Sequence, residues 1–134
     1  MKYYRTISLL MAVIFVVVGL CFLFLPNNVL EFFNSIAAFS GMKLSPVQGL
    51  NFYLILAVGY MYLVSLLAWL MFKHPENFYF PLLLTNAKLA SSLLSLSFFI
   101  FHQPCLIYLI NCLVDGLIGL LVLYFYLQLT KRKP

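Results

Sequence analysis

Lys88 sits near the middle of LLLTNAKLASSLLSLSFF, a stretch from Leu82 to Phe99 that is otherwise almost wholly apolar or small. A charge inside a segment of hydrocarbon length is expensive and needs a partner or water. The one acid within a comparable stretch is Asp115, in YLINCLVDGLIGLL. A lysine and an aspartate at membrane depth support three kinds of chemistry. They can pin the register of two helices, form a ligand or proton site, or contact a partner subunit. Spacing favours their pairing. On a helix, Lys88, Ser91, Ser92 and Ser95 share one side, and so do Tyr108, Asn111, Asp115 and Gly119. Only His102, Gln103 and Pro104 join the two stretches, which forces an antiparallel hairpin. Folded about residue 103, Lys88 lies level with position 118. Asp115 is then about 4–5 Å higher along the axis at about 1.5 Å per residue, an offset a lysine side chain bridges. Gln48 and Asn51 lie near the outer end of another apolar stretch, at a depth matching Asn111. Gln48, Asn51, Asn111, Asp115 and Lys88 are therefore expected to form an outward-opening polar cluster, with Ser92 and Tyr108 as further candidate ligand contacts.

Other chemistries lack their residues. His74 and His102 fall at opposite ends of the apolar segments and cannot share a haem or a metal. The cysteines make neither CxxC nor a Cys/His zinc spacing. Cys105 and Cys112 are seven residues apart, which on one helix is about 10 Å of rise, too far for a disulfide. All three cysteines are read as small packing residues. There is no paired carboxylate for glycoside chemistry and no glycine-rich phosphate loop. The serines near Lys88 have no histidine at matching depth for a hydrolytic triad. No cofactor and no metal are implied.

The elements that must hold Lys88 and Asp115 follow from composition. Of 134 residues, 65% are hydrophobic and 8% charged, against about 45–50% and about 25% in soluble domains. A soluble globular reading is excluded, and the length fits one domain. The net charge of +5 does not indicate nucleic acid, because the basic residues gather at the ends of apolar runs. Four runs, approximately 7–25, 47–72, 79–101 and 105–129, each have the roughly 20 residues needed to cross about 30 Å of hydrocarbon. Helices satisfy their own backbone groups there, and no strand-like alternation is present. The expected fold is all-α: a polytopic membrane four-helix bundle over residues 1–134. The first run is expected to remain as a helix rather than a cleaved signal, since no small-x-small site follows it and Leu precedes Cys21 in VGLC. It carries no charge and is expected to pack against lipid or another subunit.

Lys2, Arg5, Lys73, Lys131, Arg132 and Lys133 fall on one side of this arrangement and only Lys43 on the other. That asymmetry places both termini and the 73–78 loop in the cytoplasm. Tyr3, Tyr4, Trp69, Tyr79, Tyr124 and Tyr126 are expected as anchors at the inner interface, and Tyr53 and Tyr108 at the outer one. The long connection holds NNVLEFFNSIAAF. Asn28 with Glu31 resembles a capping box, and Gly41 is placed to end the helix. Being too short to span, this helix should lie in the outer interface or cover the bundle.

Three stretches carry a resemblance: VGLCFLFLPNNVLEFF, where a first span ends at proline before a short amphipathic helix; NAKLASSLLSLSFF; and YLINCLVDGLIGLL. In layout the chain resembles small four-helix bacterial inner-membrane proteins, some called DoxX-like. That resemblance implies a four-helix membrane fold and an association with oxidoreductase or oxidase accessory roles. It transfers no catalytic residue. The sequence therefore reads first as a non-enzymatic accessory or assembly subunit, its partners the lipid bilayer and a larger membrane complex or a second copy of itself. The alternative is binding or transport of a small or lipidic molecule near Asp115 and Lys88, as a homo-oligomer if transport is involved. A third reading is an intramembrane enzyme using Asp115, Lys88 and Tyr108.

Overall fold

A computed structural model describes residues 2–46 and 51–131. These form five helices in chain order: α1 Lys2–Phe24, α2 Pro26–Phe39, α3 Asn51–Lys73, α4 Tyr79–Phe101 and α5 Leu106–Thr130. All but α2 are long and apolar enough to cross a membrane. The fourth boundary differs from expectation by one residue at each end, and the third agrees. The first four residues of the second apolar run lie outside the described residues.

α1 begins five residues before the apolar run that marked it. The hydrophobic boundary reports the edge of hydrocarbon, not the end of a helix. Thr6 Oγ1 donates back to the Lys2 carbonyl, and Tyr4 packs edge-on to Phe125 of α5, centroids 5.3 Å apart. Tyr4 is thus 6% exposed, a core residue rather than the interfacial anchor expected. Tyr3, Tyr53, Tyr79 and Tyr124 are exposed, and so is Trp69, over which the Lys73 ammonium sits.

The capping box at Asn28 does not form. Pro26 itself opens α2, and no side chain caps it. Proline suits a first helical position because its missing N–H would be unpaired there anyway. Leu25 is the hinge between two nearly continuous helices: its N–H still bonds the Cys21 carbonyl, and its own carbonyl accepts from Val29. The other end matches expectation. Met42 N–H reaches the Ala37 carbonyl and Gly41 N–H the Ala38 carbonyl, a paired closure that needs a left-handed residue. Gly41 supplies it at φ 66°. Asn34 then ties α2 to the returning chain: its side-chain amide donates to the Ser45 carbonyl and accepts from the Ser45 N–H.

The spanning helices pack as two close antiparallel pairs, α1 with α3 and α4 with α5, joined more sparsely through α3 and α4. Glycines set both close approaches. A Cβ on Gly19 would sit 3.1 Å from Met61 Cβ, and one on Gly119 would sit 2.9 Å from Leu89 Cδ2 and 3.4 Å from the Leu89 nitrogen. In a bilayer such packing, not water exclusion, drives helix association. α2 lies over α5 and α1 at the opposite end from the termini. The buried cluster runs through Tyr4, Met11, Phe15, Ala68, Met71, Leu84 and Val122. Most of it belongs to the half of the bundle near the termini. Large side chains on every spanning helix remain uncovered, Ile55 at 70% and Leu117 at 69% among them. So much contiguous apolar surface suits lipid, not water.

Gly119→Leu should force α4 and α5 apart and cost about 1–3 kcal/mol, the usual range for overpacking. Gly59→Ala, which meets nothing within 4 Å, should be neutral or stabilising by up to about 1 kcal/mol through helix propensity. Thermal unfolding in detergent reads both; equal Tm values for the two variants would refute the tight α4–α5 seam.

Candidate functional site

The short 102–105 turn brings Lys88 of α4 and Asp115 of α5 face to face. Lys88 Nζ donates to Asp115 Oδ1 at 2.8 Å. The residues are 2% and 4% exposed, so the pair is sealed from bulk solvent. Serines and an asparagine lace the seam toward the α2 end. Ser92 Oγ donates to the Cys112 carbonyl at 2.8 Å, and Asn111 Nδ2 donates to Ser95 Oγ at 2.6 Å and Ser91 Oγ at 3.3 Å. Gly116 leaves room for Ser92, whose Oγ lies 3.0 Å from where a Cβ would stand. The faces inferred from three- and four-residue spacing are the faces that meet.

Two aromatic rings complete the surroundings of the ammonium. Nζ lies 4.5 Å from the Phe15 ring centroid and 5.2 Å from that of Tyr60. Tyr60 is held by its hydroxyl, which donates to the Ala87 carbonyl at 3.1 Å. A desolvated cation over an aromatic face gains about 2 kcal/mol, which partly offsets the desolvation of a buried pair. Spacing within α4 and α5 could not reveal either ring. Tyr60 had one signal, its place in mid-span rather than at an interface. Phe15 had none among the many apolar residues of α1. The first run is therefore more than a helix for lipid packing: it covers the ammonium, and it buries Ser8, whose hydroxyl bonds the Tyr4 carbonyl.

Asp115 Oδ2 has no hydrogen-bond partner among the described residues. Asp115 itself borders a cavity. That central cavity, about 290 Å³, is bordered by Lys88, Asp115, Asn111, Ser91, Tyr60 and Phe15. Two others adjoin it. One, about 310 Å³, lies beneath α2 between Leu30, Ser45, Tyr53, Ile107 and Tyr108, and shares Phe22 and Ala57 with the central cavity. The other, about 460 Å³, opens sideways between α3 and α4, and shares Tyr60 and Ser91 with it.

Of the expected cluster, the structure joins Lys88, Asp115 and Asn111 around one cavity and places Tyr108 between the other two. The Ser92 hydroxyl is committed to the seam. Gln48 lies outside the described residues, as does the side chain of Asn51. His74 sits near Glu76 in the 74–78 turn, and His102 stacks on Phe98 at the opposite end. Cys105 is buried and Cys112 half-buried, but Cys21 is exposed, so only the first two pack as expected. Among the described residues, no three His, Cys, Asp or Glu side chains converge.

Fold and site together define a multi-pass-type helical bundle with a buried ion pair beside adjoining cavities. In comparison with known proteins, no family model, no curated protein and no solved structure matches the chain. The DoxX-like likeness is thus one of layout.

Removing one partner should leave an uncompensated charge. Lys88→Ala and Asp115→Ala should each cost about 3–5 kcal/mol, and the double variant should regain part of that loss. Losses in detergent that simply add would show that the two charges do not support each other.

Proposed function

We propose that this chain binds a small or lipidic molecule within the membrane, in the cavities between α2 and the Lys88–Asp115 pair. One observation carries the reading. Buried side chains fill the interior near the termini, where an open groove of about 370 Å³ runs between α1 and α3, whereas beneath α2 the cavities reach inward to the Lys88–Asp115 pair. Ligand cavities commonly measure about 300–1,000 Å³ and combine apolar walls with a few placed polar groups. Intramembrane charges of this kind face such cavities. The Asn34–Ser45 tie holds α2 as a roof over the space.

The basic residues support an orientation. Lys2, Arg5, Lys73 and Lys131 stand at the end carrying the termini, and Lys43 at the other. By the positive-inside rule both termini are cytoplasmic and the α2 roof faces outward; the layout resemblance to bacterial inner-membrane proteins supports that membrane as the setting. A reporter fused after Pro134 should read as cytoplasmic; an external signal would reverse the orientation.

A second reading, an accessory subunit of a larger complex, has its own observation. Asn86 is exposed two turns into α4, its amide nitrogen on the Leu82 carbonyl and its oxygen unpartnered among the described residues. A polar group facing hydrocarbon favours a partner helix. Purification from native membranes in mild detergent, with mass spectrometry of proteins and lipids, separates the readings. Under the first, an enriched small molecule co-purifies and is lost in Ala57→Phe, which puts a ring where the two cavities share a wall, with Tm maintained. Under the second, a stoichiometric protein co-purifies and is lost in Asn86→Leu. A protein recovered alone from both would overturn the two readings.

A further inference from the structure

Building on the binding reading, we propose that the ligand is a neutral amphiphile with a hydroxyl head, and that its chain leaves sideways between α3 and α4 into the leaflet at the α2 end. Charge comes first. Among the described residues, Lys88 and Asp115 are the only charged side chains bordering the central cavity, and they cancel. A charged head would leave one buried charge uncompensated, the costly case.

Hydrogen bonding sets the second condition. Among the described residues, Asp115 Oδ2 and Asn111 Oδ1 at the cavity receive no hydrogen bond, while the Ser91 hydroxyl, which accepts from Asn111, keeps its own proton to donate. The Lys88 ammonium is engaged with Oδ1 and two rings, and Asn111 Nδ2 is engaged with Ser91 and Ser95. A head that donates to the carboxylate and accepts from Ser91 satisfies both. A hydroxyl does so without charge; an ester or ketone oxygen can only accept.

The exit is the third. The sideways cavity leaves the central one past Tyr60 and Ser91 and is walled by Ala87, Ala90, Leu94 and Phe98. Ala90 is exposed, and Leu94 and Phe98 are 62% and 45% exposed, on a helix of spanning length. Their neighbour at that depth is acyl chain. Alanine at 87 and 90 leaves width for a hydrocarbon tail, and the wall beyond the seam serines is apolar. A water-soluble ligand has no need of such an opening.

Four probes with one acyl chain and different heads test this on the full-length protein by native mass spectrometry: monooleoylglycerol, methyl oleate, oleate and oleylamine. Monooleoylglycerol should be retained about tenfold better than methyl oleate, the worth of one hydrogen bond. Asn111→Leu should narrow that preference, and Ala57→Phe marks whether bound probe sits in the cavities. A diazirine-bearing monoacylglycerol should label α4 between Ala87 and Phe98. Equal retention of methyl oleate, or better retention of oleate or oleylamine, would overturn the head-group assignment. Labelling of α2 and Tyr53 instead would overturn the sideways exit. If the native-membrane purification yields an Ala57-sensitive ligand but none of the four probes is held, the ligand class fails and the binding reading stands. If neither occurs, both fail.

Discussion

A lysine ammonium and an aspartate carboxylate at 2.8 Å, both nearly sealed, constrain everything around them. Each ion alone at that depth would cost several kcal/mol, and their attraction offsets this only with good geometry and further contacts. The contacts come from two other helices. Phe15 of α1 and Tyr60 of α3 cover the ammonium, and Ala87 anchors Tyr60 through its carbonyl. The pair thus needs all four long helices in register. The close α4–α5 approach it requires is what Gly116 and Gly119 permit.

Packing is uneven along the bundle, and that unevenness gives the pair its meaning. Toward the termini, Tyr4, Met71, Leu84 and Val122 fill the interior. Toward α2 the interior is cavity. A pair serving only as a pin between two helices would be equally stable with its surroundings filled. Here the pair borders a cavity of about 290 Å³. α2, held by the Gly41 turn and the Asn34–Ser45 tie, keeps that end covered although α2 cannot span.

Much of this was legible before any coordinates. Apolar run length located the four long helices, because the bilayer demands it. The pairing of Lys88 with Asp115 followed from a three-residue turn and helical periodicity, both local. The failures were also physical. The Asn28 capping box lost to Pro26, whose fixed φ suits the first helical turn. Tyr4 was assigned to the interface, where tyrosine is commonest, but the partner that buries it, Phe125, lies on α5, far away in sequence.

The sequence by itself determined the class of molecule, the number of long helices and the hairpin that brings the two charges together. These depend on composition, on local spacing and on one short turn. Only the tertiary structure decided which helices pair, α1 with α3 and α4 with α5, because apolar faces in a membrane are nearly interchangeable and small differences in side-chain fit select among them. It alone placed Phe15 and Tyr60 at the ammonium, and it alone left the α2 half hollow. A cavity is space bounded by side chains distant in sequence, and no local pattern encodes it.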